Sequence, residues 1–148
     1  MQNQTPSETV KVGPANDTPT IATPMISLVI PVYNEMEVLP LLFERVRKVM
    51  HSSNLAYEMV MVDDGSRDAG ASYLVQQAQD DECVKAVILS RNFGKEAALS
   101  AGLEQAKGDV IIVLDADLQN PPELIPEMLE QWRDGADIVA MKRRDREG

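Results

Sequence analysis

The sequence is poor in the residues that staple chains together, bind soft metals or shuttle protons: it has one cysteine and one histidine among 148 residues. A single thiol, Cys83, excludes an intrachain disulfide and fits a reducing compartment, with a buried inert thiol as its expected role. A single imidazole, His51, leaves no second histidine for a zinc site or a Ser-His-Asp device. It falls at the end of a predicted helix, where the dipole favours it. Basic residues are also scarce, with 14 Lys and Arg against 24 Asp and Glu. The resulting formal charge of −10 excludes general nucleic-acid binding, which needs a basic face. The only basic cluster is Lys142-Arg143-Arg144-Asp145-Arg146, at the extreme C-terminus. No apolar run approaches the roughly 20 residues that span a bilayer. The N-terminus lacks the basic and apolar regions of a signal peptide. No G-x-G-x-x-G occurs, and Gly94-Lys95 is not a P-loop because Leu89 stands where the earlier glycine would be.

What is present is enough apolar residue, 44%, for one soluble domain with a real core. Residues 1–24 hold four of the nine prolines and are rich in Thr, Asn and Gln, so they read as a disordered lead-in. From Met25 to Gly148 strand and helix patterns alternate. Strands are expected at Ile26–Val32, around Met59–Val62, at Val84–Leu89, at Val110–Leu114 and from Asp137 to Met141. Helices are expected where Leu39, Leu42, Phe43, Val46, Val49 and Met50 recur at helical spacing, then at Ala69–Gln79, Lys95–Lys107 and Pro121–Arg133. Such alternation predicts an α/β fold, a mainly parallel sheet with right-handed crossovers and helices on both faces.

The most informative stretch is Asp115-Ala116-Asp117 with Gln119 behind it. It lies between a predicted strand and a predicted helix, where Asn120 suits an N-cap, Pro121 the first helical position and Glu123 a capping box. Open α/β sheets bind ligands at that edge. If the backbone stays extended, period 2 puts Asp115, Asp117 and Gln119 on one face. Two adjacent carboxylates call for positive charge between them. Hard oxygen ligands suit Mg²⁺ or Mn²⁺, which commonly also hold substrate phosphates. Three other strand ends carry signals with ordinary structural uses as well. Pro31-Val32-Tyr33-Asn34-Glu35 reads as a strand end and helix start, or as a place where Tyr33 and Glu35 meet a base. Asp63-Asp64-Gly65-Ser66 reads as a turn, or as a pair in which one acid anchors the loop and the other reaches a ligand. Ser90-Arg91-Asn92-Phe93-Gly94-Lys95 reads as a solvated loop, or as a source of positive charge, Arg91 and Lys95, for a diphosphate.

The ordered set of these four segments, ending in Asp115-Ala116-Asp117-Leu118-Gln119-Asn120-Pro121-Pro122, resembles family 2 glycosyltransferases with the GT-A fold. Within them it is similar to the polyprenyl-phosphate branch: dolichyl-phosphate mannose synthases and, through Arg91-Asn92-Phe93-Gly94-Lys95-Glu96, bacterial undecaprenyl-phosphate sugar transferases. The resemblance covers residues 25–148. It implies that Pro31, Tyr33, Glu35 and Asp64 cradle the nucleotide base and ribose in a Rossmann-like half. Asp115, Asp117 and Gln119 would form the metal and diphosphate site. Arg143 would lie near the donor and acceptor phosphates, and Lys95 is a looser match to a nucleotide-binding position.

The implied reaction is transfer of a sugar from a nucleotide-diphosphate sugar to a polyprenyl phosphate, with inversion at the anomeric carbon. Asp117 and Arg143 are its catalytic candidates. A polysaccharide or other glycan acceptor, or a non-catalytic nucleotide-sugar-binding module, remain open alternatives. Family members continue into an acceptor-binding half and often into membrane segments. The chain is therefore expected to be a truncated piece, soluble and inactive alone, from a protein at the cytoplasmic face of the membrane. Membrane association is expected only through the C-terminal part, and self-association, as a homo-oligomer, through the fifth strand.

Overall fold

Short apolar runs that cannot face water on either side belong inside a sheet covered on both faces. In the computed structural model, which describes residues 24–119, 121–133 and 138–140, five short runs are strands. They are Ile26–Val32 (β1), Tyr57–Asp63 (β2), Val84–Ile88 (β3), Val110–Val113 (β4) and Ile138–Ala140 (β5). All pairings are parallel, and the order across the sheet is β3-β2-β1-β4-β5. Parallel neighbours need a long crossover. The crossovers carry helices: Leu39–Ser53 (α1), Gly70–Asp80 (α2), Lys95–Gln105 (α3) and Ile125–Arg133 (α4). The α/β architecture expected from the alternation is therefore the architecture found.

Alternate strand residues go to opposite faces. Ile26, Leu28 and Ile30 of β1, with Met59, Met61 and Ile112, pack against α1, α2 and α4 through Phe43, Leu74 and Ile125. Val29, Val60 and Val62 face the other way, against Ala98 of α3. On that second face Ile111 and Val113 of β4 are only partly buried. Helix α3 lies close to the sheet because of Gly102, where an added Cβ would sit 2.6 Å from Val29 Cγ1 and 2.9 Å from Val62 Cγ2.

Helix α1 buries Leu39, Leu42, Phe43, Val46 and Met50, the spacing read from the sequence. It closes with Asn54 in the left-handed region (φ 55°), whose N–H reaches the carbonyls of His51 and Met50. His51 lies in its last turn, as expected.

Two helix starts differ from expectation. Asn34 does not cap α1; it adopts φ 54°, a turn follows, and Val38 is the N-cap. Pro121 is not helical, with φ −67° and ψ 138°, since a residue before proline is pushed out of the α region. Pro122–Leu124 instead forms a 3₁₀ turn that leads into α4. The two oxygens of Glu123 take a bidentate pair from Arg45 of α1. Asn120, residues 1–23 of the lead-in, and Lys142–Arg146 with Arg143 lie outside the described residues.

The amino edge of the sheet is clasped by one buried carboxylate. Glu58 Oε2 accepts from Ser27 Oγ (2.6 Å) and from the Lys107 N–H (2.7 Å), while Oε1 pairs with Lys85 Nζ at 2.9 Å. Ser27 Oγ in turn accepts from the Gly108 N–H at 2.7 Å. Burial alone would push the Glu58 carboxyl up. The donors from Lys107, Ser27 and Lys85 outweigh that and hold it below its ordinary value. Cys83 is half-buried rather than buried; burial and the neighbouring Asp81 push its thiol up, which keeps it in the unreactive form. Among the described residues no helix is long and apolar enough to cross a membrane.

Candidate active site at the carboxyl edge

Strand order reverses between β1 and β4, because β2 and β3 lie on one side of β1 and β4 and β5 on the other. At such a switch point the loops after the two strands leave in opposite directions and open a crevice. A recess of about 150 Å³ sits there, lined by Pro31, Val32, Tyr33 and Glu35 from the end of β1, Asp64 after β2, Lys95 of α3, and Asp115, Ala116 and Asp117 after β4. It is smaller than the roughly 300 Å³ of an enclosed ligand pocket, so it is an open groove and not a closed cavity. Seven of the residues singled out in the sequence are thus brought to one place. Gln119 is not: it is exposed and lies outside the recess lining. The chain does not stay extended past Asp115. A turn at Ala116-Asp117 and a left-handed Leu118 (φ 64°) swing Gln119 away, and Asp117 Oδ1 accepts the Gln119 N–H at 3.1 Å.

In the Asp63-Asp64 pair both carboxylates anchor loops, and Asp64 also lines the recess. Asp63 is buried, and its Oδ2 accepts the Ser66 N–H at 2.9 Å. Asp64 is buried too, and it accepts the Phe93 N–H at 2.8 Å, the Gly94 N–H at 3.1 Å and a longer bond from Asn92 Nδ2. The loop after β3 is drawn so close that a Cβ on Gly65 (φ 73°) would meet the Arg91 carbonyl carbon at 2.3 Å. Asn34 ties in the third loop: its Oδ1 accepts the Arg67 N–H, and its own N–H donates to Ser66 Oγ, both at 2.8 Å. Asp68 joins them, accepting from Met36 and Gly70. Three loops are therefore laced into one ledge. Sequence reasoning missed Asn34, Ser66, Asp68 and Asn92 in this role. The available signal was the density of short polar side chains at three strand ends on one edge, since these are the residues that bond to backbone.

The ledge fixes the start of α3. Gly94, at φ 108°, turns the chain into the helix, and Lys95 reaches across the recess to place Nζ 2.6 Å from Asp115 Oδ1. This is the positive charge that two neighbouring acids require. Arg91, the other candidate cation of that loop, lies over the exposed Phe93 ring at 4.5 Å and does not line the recess. Among the described residues no group of three acidic, His or Cys side chains is close enough to hold a metal ion by itself. Asp115 and Asp117 fit a hard divalent cation as a two-carboxylate set, which needs further oxygens from phosphate and water.

A larger recess, about 480 Å³, lies at the opposite edge beside Arg47, His51 and Tyr57. Arg47 is already held by Asp81 and Gln77, and no acid pair lines that recess.

Residues 27–148 match the family described as glycosyl transferase family 2. The chain is 51% identical over 123 residues to an undecaprenyl-phosphate 4-deoxy-4-formamido-L-arabinose transferase of Pseudomonas paraeruginosa, covering 82% of this chain and 36% of that protein. It is 49% identical over 123 residues to an uncharacterized glycosyltransferase, sll0501, of Synechocystis, covering 83% and 39%. The chain thus spans little more than a third of these relatives. Among solved structures, a mannosyltransferase of Pyrobaculum calidifontis in complex with GDP-Man and Mn²⁺ superposes with a TM-score of 0.58 at 24% identity, over 66% of this chain and 28% of that one. That likeness speaks to the fold, the GT-A form of parallel α/β sheet.

Proposed function

Because the chain belongs to glycosyl transferase family 2, we propose that residues 25–148 are the donor-binding part of an enzyme that moves a sugar from a nucleotide-diphosphate sugar to a polyprenyl phosphate. The observation that carries this reading is Asp115 and Asp117 on one recess with Pro31, Tyr33 and Glu35, at the switch point of the sheet. The acceptor class comes from the undecaprenyl-phosphate transferase among its relatives. Such an acceptor puts the whole protein at the inner face of a membrane.

Pro31, Tyr33 and Glu35 would flank the base and ribose, and Asp64 would hold the loop beside them. Asp115 and Asp117 would hold Mg²⁺ or Mn²⁺ against the donor diphosphate. The ion, when bound, supplies stabilisation of the charge that grows on the leaving nucleoside diphosphate. Lys95 and Arg143 would add positive charge near the phosphates. The acceptor phosphate is anionic near neutral pH, with a second pKa of roughly 6, so it needs no strong base. Attack from the side opposite the leaving group inverts the anomeric carbon.

The test is calorimetry of UDP and GDP binding with Mn²⁺ and with EDTA. Binding is expected to depend on the metal. Asp117→Asn should weaken it at least about tenfold, since changes just outside a metal's ligand set already cost 10–100-fold. Glu130→Gln, in an exposed pair with Arg133, should leave it unchanged. Equal affinity with and without metal would sink the reading.

A further inference from the structure

We propose that Lys95 is a resident counter-ion of the site: it occupies Asp115 while no metal is bound, must release it for a divalent cation to bind there, and then turns to the donor diphosphate. The inference rests on the metal–diphosphate reading above and adds a competition to it.

The recess is lined by four carboxylates, Glu35, Asp64, Asp115 and Asp117, and by one cation, Lys95. Four negative charges against one leave a formal excess of three on these described residues. Asp64 spends its oxygens on backbone N–H groups of the loop, so its charge is partly met. Lys95 meets Asp115. The two partners of this ion pair differ in freedom. The Asp115 side chain is 15% exposed and stands at the end of a packed strand, whereas Lys95 is 63% exposed. When the two separate, the lysine is the one that moves. Its reach is nonetheless bounded, because Asp64 fixes the peptides just before it and Gly102 seats its helix on the sheet.

A divalent cation on Asp115 and Asp117 would take the oxygen that the ammonium holds and would repel it. An ammonium is a compact, strongly hydrated charge on a flexible stem, suited to such an exchange. A diphosphate entering beside the cation offers it a new partner within the same recess. Lys95 therefore acts with opposite sign on the two ligands: it hinders the metal alone and favours the nucleoside diphosphate once the metal is in place.

The experiment titrates the nucleotide-free 148-residue chain with Mn²⁺, following free Mn²⁺ by electron paramagnetic resonance. The chains compared are the wild type, Lys95→Gln, Lys95→Arg, Asp117→Asn and Lys48→Gln, which removes an equal charge at the opposite edge. Lys95→Gln should bind Mn²⁺ roughly two- to fivefold tighter than Lys48→Gln, the range an exposed ion pair can withhold. Lys95→Arg should track the wild type. In saturating Mn²⁺, Lys95→Gln should bind UDP or GDP more weakly than Lys48→Gln does. Unchanged or weaker Mn²⁺ binding by Lys95→Gln would overturn the competition while loss of Mn²⁺ by Asp117→Asn still upheld the metal site. Equal Mn²⁺ binding by wild type and Asp117→Asn would overturn the metal site itself, and the competition with it.

Discussion

Asp63 brings two carboxylate oxygens into a buried corner, but among the described residues only Oδ2 has a hydrogen-bond partner; Oδ1 has none. A buried acceptor left unmet costs about 1–3 kcal/mol. The open side of that corner is Gly70, the first residue of α2, where an added Cβ would lie 3.7 Å from Asp63 Oδ1 and 2.9 Å from Asp68 Oδ1. A serine hydroxyl on that Cβ reaches Asp63. Both Gly70→Ser and Gly70→Ala crowd Asp68 equally, so the difference between them isolates the new bond. Gly70→Ser should be more stable than Gly70→Ala by about 1 kcal/mol in urea unfolding, and equal stability would show that Oδ1 is satisfied in another way. At this scale the sequence was legible in part. Asp115 and Asp117 could be placed at a ligand edge because a strand pattern ran straight into them. The anchoring role of Asp64 could not, because it depends on peptides 93 and 94, which only the fold brings near. Gln119 was misplaced for a local reason: period-2 reasoning assumes extended backbone, and a turn at Asp117 ends it.

Elements were the most legible level. β4 is an uninterrupted apolar run, β1 and β2 are mostly apolar, and α1 has a clean helical spacing, so their existence followed from pattern alone. Their starts were harder, since a start is decided by which partner a single side chain chooses. Glu123 gives both oxygens to Arg45 of another helix, a contact that local sequence does not reveal. Glu58 was unremarked in the sequence, yet it joins β1, β2, β3 and the turn before β4. Its consequence is a pH dependence. The folded carboxyl lies below its ordinary 4.5, so its stabilisation is fully present above that value and fades as the pH falls through the lower folded one. Glu58→Gln should therefore cost about 1–3 kcal/mol near pH 7. The gap from wild type should narrow at a second, acid pH well below 4.5, as the wild-type carboxylate becomes protonated. Urea unfolding at both pH values checks this; a gap of constant size would show that packing, not charge, is what Glu58 supplies.

Across the whole molecule, one topological fact places the site: β1 is flanked by β2 and β4, so loops from three strands meet at one edge. Sequence alternation predicts a parallel sheet but not its strand order, which depends on how the crossovers pack; the crevice between β1 and β4 became visible only in the fold. The seat of α3 has a mechanical reading. Gly102 is the fulcrum of a lever whose far end carries Lys95, seven residues or roughly 10 Å away at about 1.5 Å per residue. A methyl at that point is a wedge, because it meets Val29 and Val62 inside 3 Å. Gly102→Ala should cost about 1–3 kcal/mol by overpacking. By tipping the helix it should also loosen Lys95 from Asp115, so that Mn²⁺ titration of this variant resembles that of Lys95→Gln although the ammonium is intact. A chain that loses stability but keeps wild-type Mn²⁺ affinity would mean that the sheet yields and the helix does not. The grip of the site on its cation is then set in part from beneath, by the thickness of one missing side chain.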